Sequence, residues 1–164
     1  YKASYLFSPG EHRWPKSMSQ GTSPSQIKSF LDKYMTVSLL LETNLFRVIK
    51  YFYKKPTLVL INKNSKKIYI NFLEVEQGTG NAIGGILNDF DGGMPFQPEN
   101  YIFENNREFM MVFLNPFHLK LLTASKKFNN STPKYPEKKK ELEKLANSLK
   151  ETDNPVLMMV RLKK

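Results

Sequence analysis

The sequence predicts a mainly β fold with accessory helices, an α+β class in which antiparallel sheets carry the core. Apolar residues make up 40% of the 164-residue chain and aromatic residues 13%, so a disordered chain is excluded. The 12 Phe and 8 Tyr residues, against a single Trp, favour strands because such side chains fit the pleated surface of a sheet. Apolar residues also alternate with a period of two over long segments, as half-buried strands require.

The first predicted element is a short strand over residues 1–7, and a helix over residues 23–34 follows it. Ser23 and Gln26 have the spacing of a capping box, and Pro24 suits the first helical position. The apolar residues that follow recur at helical spacing, at Ile27, Phe30, Leu31 and Tyr34. This spacing indicates a packing helix with one buried face.

A four-stranded antiparallel meander is predicted within residues 35–73. Its strands cover residues 37–42, 45–53, 57–61 and 68–72. Short turns rich in Asn, Lys, Ser and Pro separate them, and consecutive strands joined by such turns pair with their sequence neighbours.

The region 83–164 is predicted to contain a hairpin, two helices and a last strand. The hairpin strands cover residues 100–104 and 108–114, the helices begin at Pro116 and Pro136, and the polar residues 123–134 form a loop between them. Asn115 caps the first of these helices, and the second ends near Lys150. The last strand, 156–162, is almost continuously apolar, which predicts a position inside a sheet.

Residues 84–98 form the stretch around which the rest of the chain is organised. It contains four glycines, two prolines and two aspartates among large apolar residues, so we predict a tight and buried corner. The residues expected to build the corner are Gly84, Gly85, Gly92, Gly93 and Pro95. The residues of the same stretch expected to bind a ligand are Asn88, Asp89, Asp91 and Gln97.

Asp89 and Asp91 have two interpretations. Placed two apart on a strand they share a face and could serve as an acid/base pair or as metal ligands. Alternatively Asn88, Asp89 and Asp91 accept hydrogen bonds from the backbone of a turn in which Gly92 and Gly93 adopt positive φ. We favour the turn, and the spacing does not match a calcium-binding loop of the EF-hand type.

Other chemistry has weak support in the sequence. Cysteine is absent, which excludes disulfides, thiolate metal sites and cysteine nucleophiles. Gly78, Gly80 and Gly84 do not have the spacing of a dinucleotide or phosphate loop, and no catalytic triad spacing surrounds His12 or His118. We therefore predict no catalytic residue, no metal site and no cofactor. No apolar run of about 18 residues is present, so no transmembrane segment is predicted.

The chain is strongly basic, with a formal net charge of +10. The excess is scattered, and it consists mainly of lysine, whereas recognition of bases and phosphates favours arginine. We therefore favour a solvated lysine-rich surface over a nucleic-acid binding site.

Two stretches together resemble a family of six-bladed, TolB-like β-propeller proteins from Bacteroides-type bacteria. They are GILNDFDGGMPFQP at residues 85–98 and ETDNPVLMMVRLK at 151–163, and the resemblance extends over 35–164. The family often has Trp where this chain has Gln97. The resemblance implies exported or lipid-anchored proteins of the cell envelope, in the periplasm or at the outer membrane, and it supplies no catalytic residues.

On this basis we expect one domain over residues 1–164, or the C-terminal fragment of a larger propeller. Residues 35–73 would form one blade and 83–164 a partial blade, since six blades need roughly 250 to 300 residues. The predicted function is a non-enzymatic binding or interaction module for a protein or a small ligand. The alternative is a hydrolase or lyase that uses Asp89 and Asp91. A fragment would also expose blade surfaces, so self-association is expected.

Overall fold

The computed structural model describes residues 6–15, 24–75 and 82–163. Three antiparallel sheets, of four, two and three strands, and a few helices make up these residues, which confirms the mainly β, α+β class. The strands of the four-stranded sheet are β1 (Thr36–Glu42), β2 (Phe46–Tyr53), β3 (Lys55–Asn62) and β4 (Ile68–Phe72). The remaining strands are the short pair β5 (Glu74–Val75) and β6 (Ala82–Ile83), and the three-stranded sheet of β7 (Asn100–Glu104), β8 (Arg107–Leu114) and β9 (Val156–Arg161).

The predicted meander is confirmed, with strands in the order β1-β2-β3-β4. Its turns are built by short polar side chains. Thr43 Oγ1 accepts hydrogen bonds from the backbone N–H of Leu45 and Phe46, at 3.1 and 2.8 Å. Asn62 Oδ1 accepts hydrogen bonds in the same way from the backbone N–H of Asn64 and Ser65, at 3.0 and 2.8 Å. Each side chain satisfies backbone donors that the sheet leaves unpaired, and so each turn is specified locally.

The two larger sheets share one apolar core. Val48, Leu58 and Leu60 come from the four-stranded sheet, Met110, Val112 and Leu114 from the three-stranded sheet, and Leu73 and Phe96 from the segments between them. The sheets therefore pack face to face, with alternate residues of β8 directed inward. Val48 and Leu58 are completely buried, and burial of such a side chain contributes about 1.5–3 kcal/mol.

Four α-helices and a 3₁₀ turn over Gly10–His12 complete the described structure. The helices are α1 (Pro24–Lys33), α2 (Pro116–Ala124), α3 (Lys126–Asn129) and α4 (Pro136–Ser148). Asn115 caps α2 as predicted, since its Oδ1 accepts from Phe117 N at 2.9 Å. The predicted cap Ser23 and most of the predicted strand over residues 1–7 lie outside the described residues. Within the described ranges, no helix has both the length and the apolar character needed to cross a membrane.

The loop predicted over 123–134 was partly wrong. Helix α2 continues to Ala124, and α3 follows it at once, because Ser125 Oγ accepts a hydrogen bond from Phe128 N at 3.1 Å and caps the short helix. The side chain of Phe128 is only 1% exposed. The polar composition of the segment concealed this single buried anchor.

The position predicted for the last strand was wrong. Among the described strands, β9 pairs only with β8, and it forms an edge of the three-stranded sheet. Its inward residues are half-buried, whereas the outward residues Leu157 and Met159 are both 44% exposed. The strand is apolar on both faces, yet only one face contributes to the core.

A buried carboxylate joins the two sheets at one end of the sandwich. Glu108 on β8 is 7% exposed, and its Oε1 accepts from Asn44 N, in the β1–β2 turn, at 2.7 Å. Burial, the charge of Glu108 and a hydrogen bond to it raise the pKa of Tyr101, while Lys63 lowers it. The phenol thus stays protonated to a higher pH in the folded chain, and its stabilising contribution is lost as the pH rises through that raised pKa.

We expect Glu108→Ala to lower the free energy of unfolding by about 1–3 kcal/mol, because the N–H of Asn44 loses its acceptor. Glu108→Gln retains an oxygen acceptor and should lose less. Urea denaturation followed by circular dichroism measures both. Glu104→Ala, on the exposed end of β7, is the control and should change stability by less than about 0.5 kcal/mol. Equal losses of unfolding free energy in Glu104→Ala and Glu108→Ala would show that Glu108 does not join the sheets.

Candidate functional site

The candidate site is a groove of about 550 Å³ where the two sheets meet α2 and the loop that precedes β7. Its volume lies within the usual range of small-molecule sites. Its polar lining consists of Lys50, Gln97, Glu99, Asn115, His118 and Ser125. Its apolar lining includes Ile83, Met94, Pro95, Leu121 and Leu122. A ligand in this groove would meet convergent polar groups on an apolar wall.

Lys50 is the cation of the groove, and it occupies an unusual place for a lysine. On β2 it follows Val48 on the core-facing side, and its register partners are Leu39 and Leu58. Lysine is rarely buried without a partner. Here Nζ extends past the apolar core and donates to Gln97 Oε1 at 2.8 Å. Lys50 was not among the predicted site residues, although a charged residue within the apolar phase of a strand could have revealed it.

Gln97 connects Lys50 to the loop. Its Oε1 accepts from Lys50, and its Nε2 donates to the carbonyl oxygen of Gly84 at 2.9 Å. The structure therefore places this predicted binding residue in the groove, together with two predicted corner residues, Gly84 and Pro95.

The loop itself is closed by a pair of backbone hydrogen bonds. Ile86 N donates to Phe96 O at 2.9 Å, and Phe96 N donates to Ile86 O at 2.8 Å. Gly85 has φ +130°, and a Cβ atom there would lie 2.7 Å from Phe96 O. Glycine is therefore required at position 85 for this closure.

The other predicted binding residues lie in the turn at the tip of the loop. Asp91 Oδ1 accepts from Asn88 Nδ2 at 2.7 Å and from Gly93 N at 2.8 Å. Asn88 Oδ1 accepts from Phe90 N at 3.2 Å. Asp89 is exposed, and its backbone oxygen accepts from Lys134 N at 2.7 Å. The structure thus brings Asn88 and Asp91 together and leaves the side chain of Asp89 in solvent.

Two details of the predicted corner were wrong. The corner is not buried throughout: Leu87 is 80% exposed and Phe90 is 49% exposed, whereas Phe96 lies in the core. Gly92 has the expected positive φ of +72°, but Gly93 does not. Glycine suits position 93 for a different reason, because a Cβ atom there would lie 2.8 Å from Asp91 Oδ1.

The histidines and acidic residues form no compact cluster. His12 packs on Tyr53, with ring centroids 4.4 Å apart, whereas His118 lies on α2 in the groove. Over residues 6–15, 24–75 and 82–163, no three His, Asp or Glu side chains are grouped as a metal ion requires. Gly78 and Gly80, which were tested as a nucleotide loop, lie outside the described residues.

We expect Asp91→Ala to lower the free energy of unfolding by about 1–2 kcal/mol, since the N–H of Gly93 loses its acceptor. The control Asp89→Ala should cost less than about 0.5 kcal/mol, because that side chain is exposed. Chemical denaturation measures both. A stabilisation by divalent cations that both substitutions abolish would instead support the carboxylate-pair hypothesis.

Comparisons of the chain with protein-family models, with curated proteins and with solved structures find no match. The resemblance to TolB-like propellers therefore stays a prediction from residues 85–98 and 151–163.

Proposed function

We propose that this chain is a binding module whose groove takes a small ligand with an acidic group and an apolar body. The observation that carries the proposal is the ammonium group of Lys50, held by Gln97 at 2.8 Å beside an apolar wall. An ammonium group has three N–H donors, and the amide of Gln97 accepts one of them. The other donors are suited to a carboxylate or another anionic group of the ligand.

Among the side chains that line the groove, Lys50 is cationic and Glu99 is anionic, and we assign the acidic group of the ligand to the Lys50 end. The amide of Gln97 orients Lys50 without neutralising its charge, and the side chain is half-buried, where charges are screened less than in bulk water. The formal net charge of +10 adds a long-range attraction for anionic ligands. Charge-assisted hydrogen bonds of this type are stronger than those between neutral groups.

The opposite wall of the groove is provided by α2. Leu121 and Leu122 contribute apolar surface, and Asn115 and His118 contribute side chains that can donate or accept hydrogen bonds. An elongated ligand can place its acidic group at Lys50 and its apolar body along α2. This arrangement is typical of sites in which a few polar groups orient a mostly apolar ligand.

We further propose that the module is the C-terminal part of a propeller-like protein of the cell envelope, in the periplasm or at the outer membrane. The face-to-face packing of a four-stranded meander on a second antiparallel sheet supports this proposal, because blades of a propeller are four-stranded sheets around a common axis. The resemblance of residues 85–98 and 151–163 supports it independently.

Octanoate tests the groove, because it combines a carboxylate with a short apolar chain. We expect it to bind more tightly than octanol or octylamine, and we expect Lys50→Met to weaken octanoate binding roughly tenfold, the loss of one charge-assisted hydrogen bond. Titration followed by NMR chemical shifts measures affinity and location together.

The matched control is Lys140→Met, which removes an exposed lysine of α4 that does not line the groove. This variant should bind octanoate as the unaltered protein does. Equal affinity for octanoate and octylamine, or an unchanged affinity in Lys50→Met, would contradict the proposed site.

The cellular location is tested by fractionation of the source cells, with an antibody against this chain. We expect recovery with the periplasmic or outer-membrane fraction. Recovery in the cytosolic fraction would contradict the proposed placement in the envelope.

A further inference from the structure

The outer edge of β4 is a regular and apolar strand edge. β4 pairs with β3 through five consecutive register positions without a shift, and no strand among the described residues pairs with its other side. Ile68, Ile70 and Phe72 are 60%, 55% and 60% exposed, and Tyr69 is 50% exposed. An edge of this kind presents unpaired N–H and C=O groups together with apolar side chains, which is a template for another strand.

The opposite edge of the same sheet is protected. The register of β1 with β2 shifts between Val37 and Leu39, and such an irregularity turns an edge away from further pairing. In the three-stranded sheet, β9 is preceded by Pro155 and β7 ends at Glu104. Proline and charged residues at the ends of edge strands discourage pairing. β4 differs in that none of its own five residues is charged or a proline, although lysines precede it and Glu74 follows it.

Lysines outnumber acidic residues next to β4, where Glu74 is the nearest acidic residue in the sequence. Lys66 and Lys67 immediately precede the strand, and Lys55 Nζ lies 3.5 Å from the ring centroid of Phe72. Charged residues around an apolar centre favour partners of the opposite charge and accelerate association with them. An acidic partner is therefore favoured.

We propose that the β4 edge binds an extended acidic peptide segment of another protein as a fifth strand of the sheet. Backbone hydrogen bonds would provide affinity, and alternate apolar side chains of the peptide would pack beside Ile68, Ile70 and Phe72. Acidic residues flanking the apolar centre of the peptide would reach the lysines. This surface is separate from the groove, whose lining includes no residue of β4.

A second copy of this chain is the competing occupant, and two observations disfavour it. Each copy has a formal net charge of +10, so two copies repel one another. β4 has five residues, and pairing of two such strands provides much less than the roughly 1,200–2,000 Å² that a stable interface between folded proteins buries.

The test uses a fluorescein-labelled peptide of sequence Glu-Glu-Val-Thr-Val-Thr-Val-Glu and fluorescence polarisation. We expect it to bind at least tenfold more tightly than the same peptide with Lys in place of Glu, or with Pro in place of the central Val. Ile70→Glu should weaken binding of the acidic peptide at least tenfold. NMR shifts of the complex should be centred on the amides of β4.

Leu40→Glu is the matched control. Leu40 lies opposite Ile49 in the register, as Ile70 lies opposite Val59, so the two residues stand in one row on the same face at the two edges of the sheet. Their side chains are 51% and 55% exposed. Thermal denaturation verifies that both variants fold, and Leu40→Glu should retain peptide affinity within about twofold.

Four results with the peptide would overturn the proposal. They are absence of binding at millimolar peptide, equal affinity for acidic and basic peptides, equal losses in the two variants, and displacement of the peptide by octanoate, which would locate it in the groove. A dimer in analytical ultracentrifugation that Ile70→Glu abolishes would assign the edge to a second copy and would also overturn it.

Discussion

The structure depends on the apolar contact between its two sheets. Neither sheet can bury its inner face alone, because a three- or four-stranded sheet in water exposes one side unless another layer covers it. Val48 and Leu58 on one sheet and Met110 and Val112 on the other provide that contact. The other described parts are arranged around it: the turns hold the strands in register, the loop connects the sheets, and α1 packs against β2.

Polar groups at the margins of this contact fix how the sheets are placed. At one end the carboxylate of Glu108 accepts from the backbone of the β1–β2 turn. At the other end Lys50 extends to Gln97 on the loop that leads into the three-stranded sheet. Apolar contact is non-directional, whereas these hydrogen bonds have strict geometry. The hydrogen bond between Lys50 and Gln97 leaves the ammonium group of Lys50 at the surface of the groove. The same interaction therefore positions the sheets and provides the cation of the candidate site.

The loop over residues 84–98 contributes both to the packing of the sheets and to the lining of the candidate site. Its tip is an Asx-type turn in which Asp91 accepts from backbone and side chain, and its base is closed by the reciprocal hydrogen bonds of Ile86 and Phe96. The base supplies Gln97 to the groove, whereas the aspartates are directed elsewhere. The predicted set of binding residues therefore divides into one groove residue and a turn.

Taken alone, the sequence determined the local elements. The period-two strands, the turns built by Thr43 and Asn62 and the cap Asn115 depend on interactions within a few residues, and local pattern is sufficient to predict them. Tertiary structure decided what depends on distant partners. It placed β9 at an edge, it buried Phe128 within a polar segment, and it brought Lys50 to Gln97, 47 residues further along the chain. No local pattern specifies which residues meet across two sheets, because that is set by the packing of the whole core.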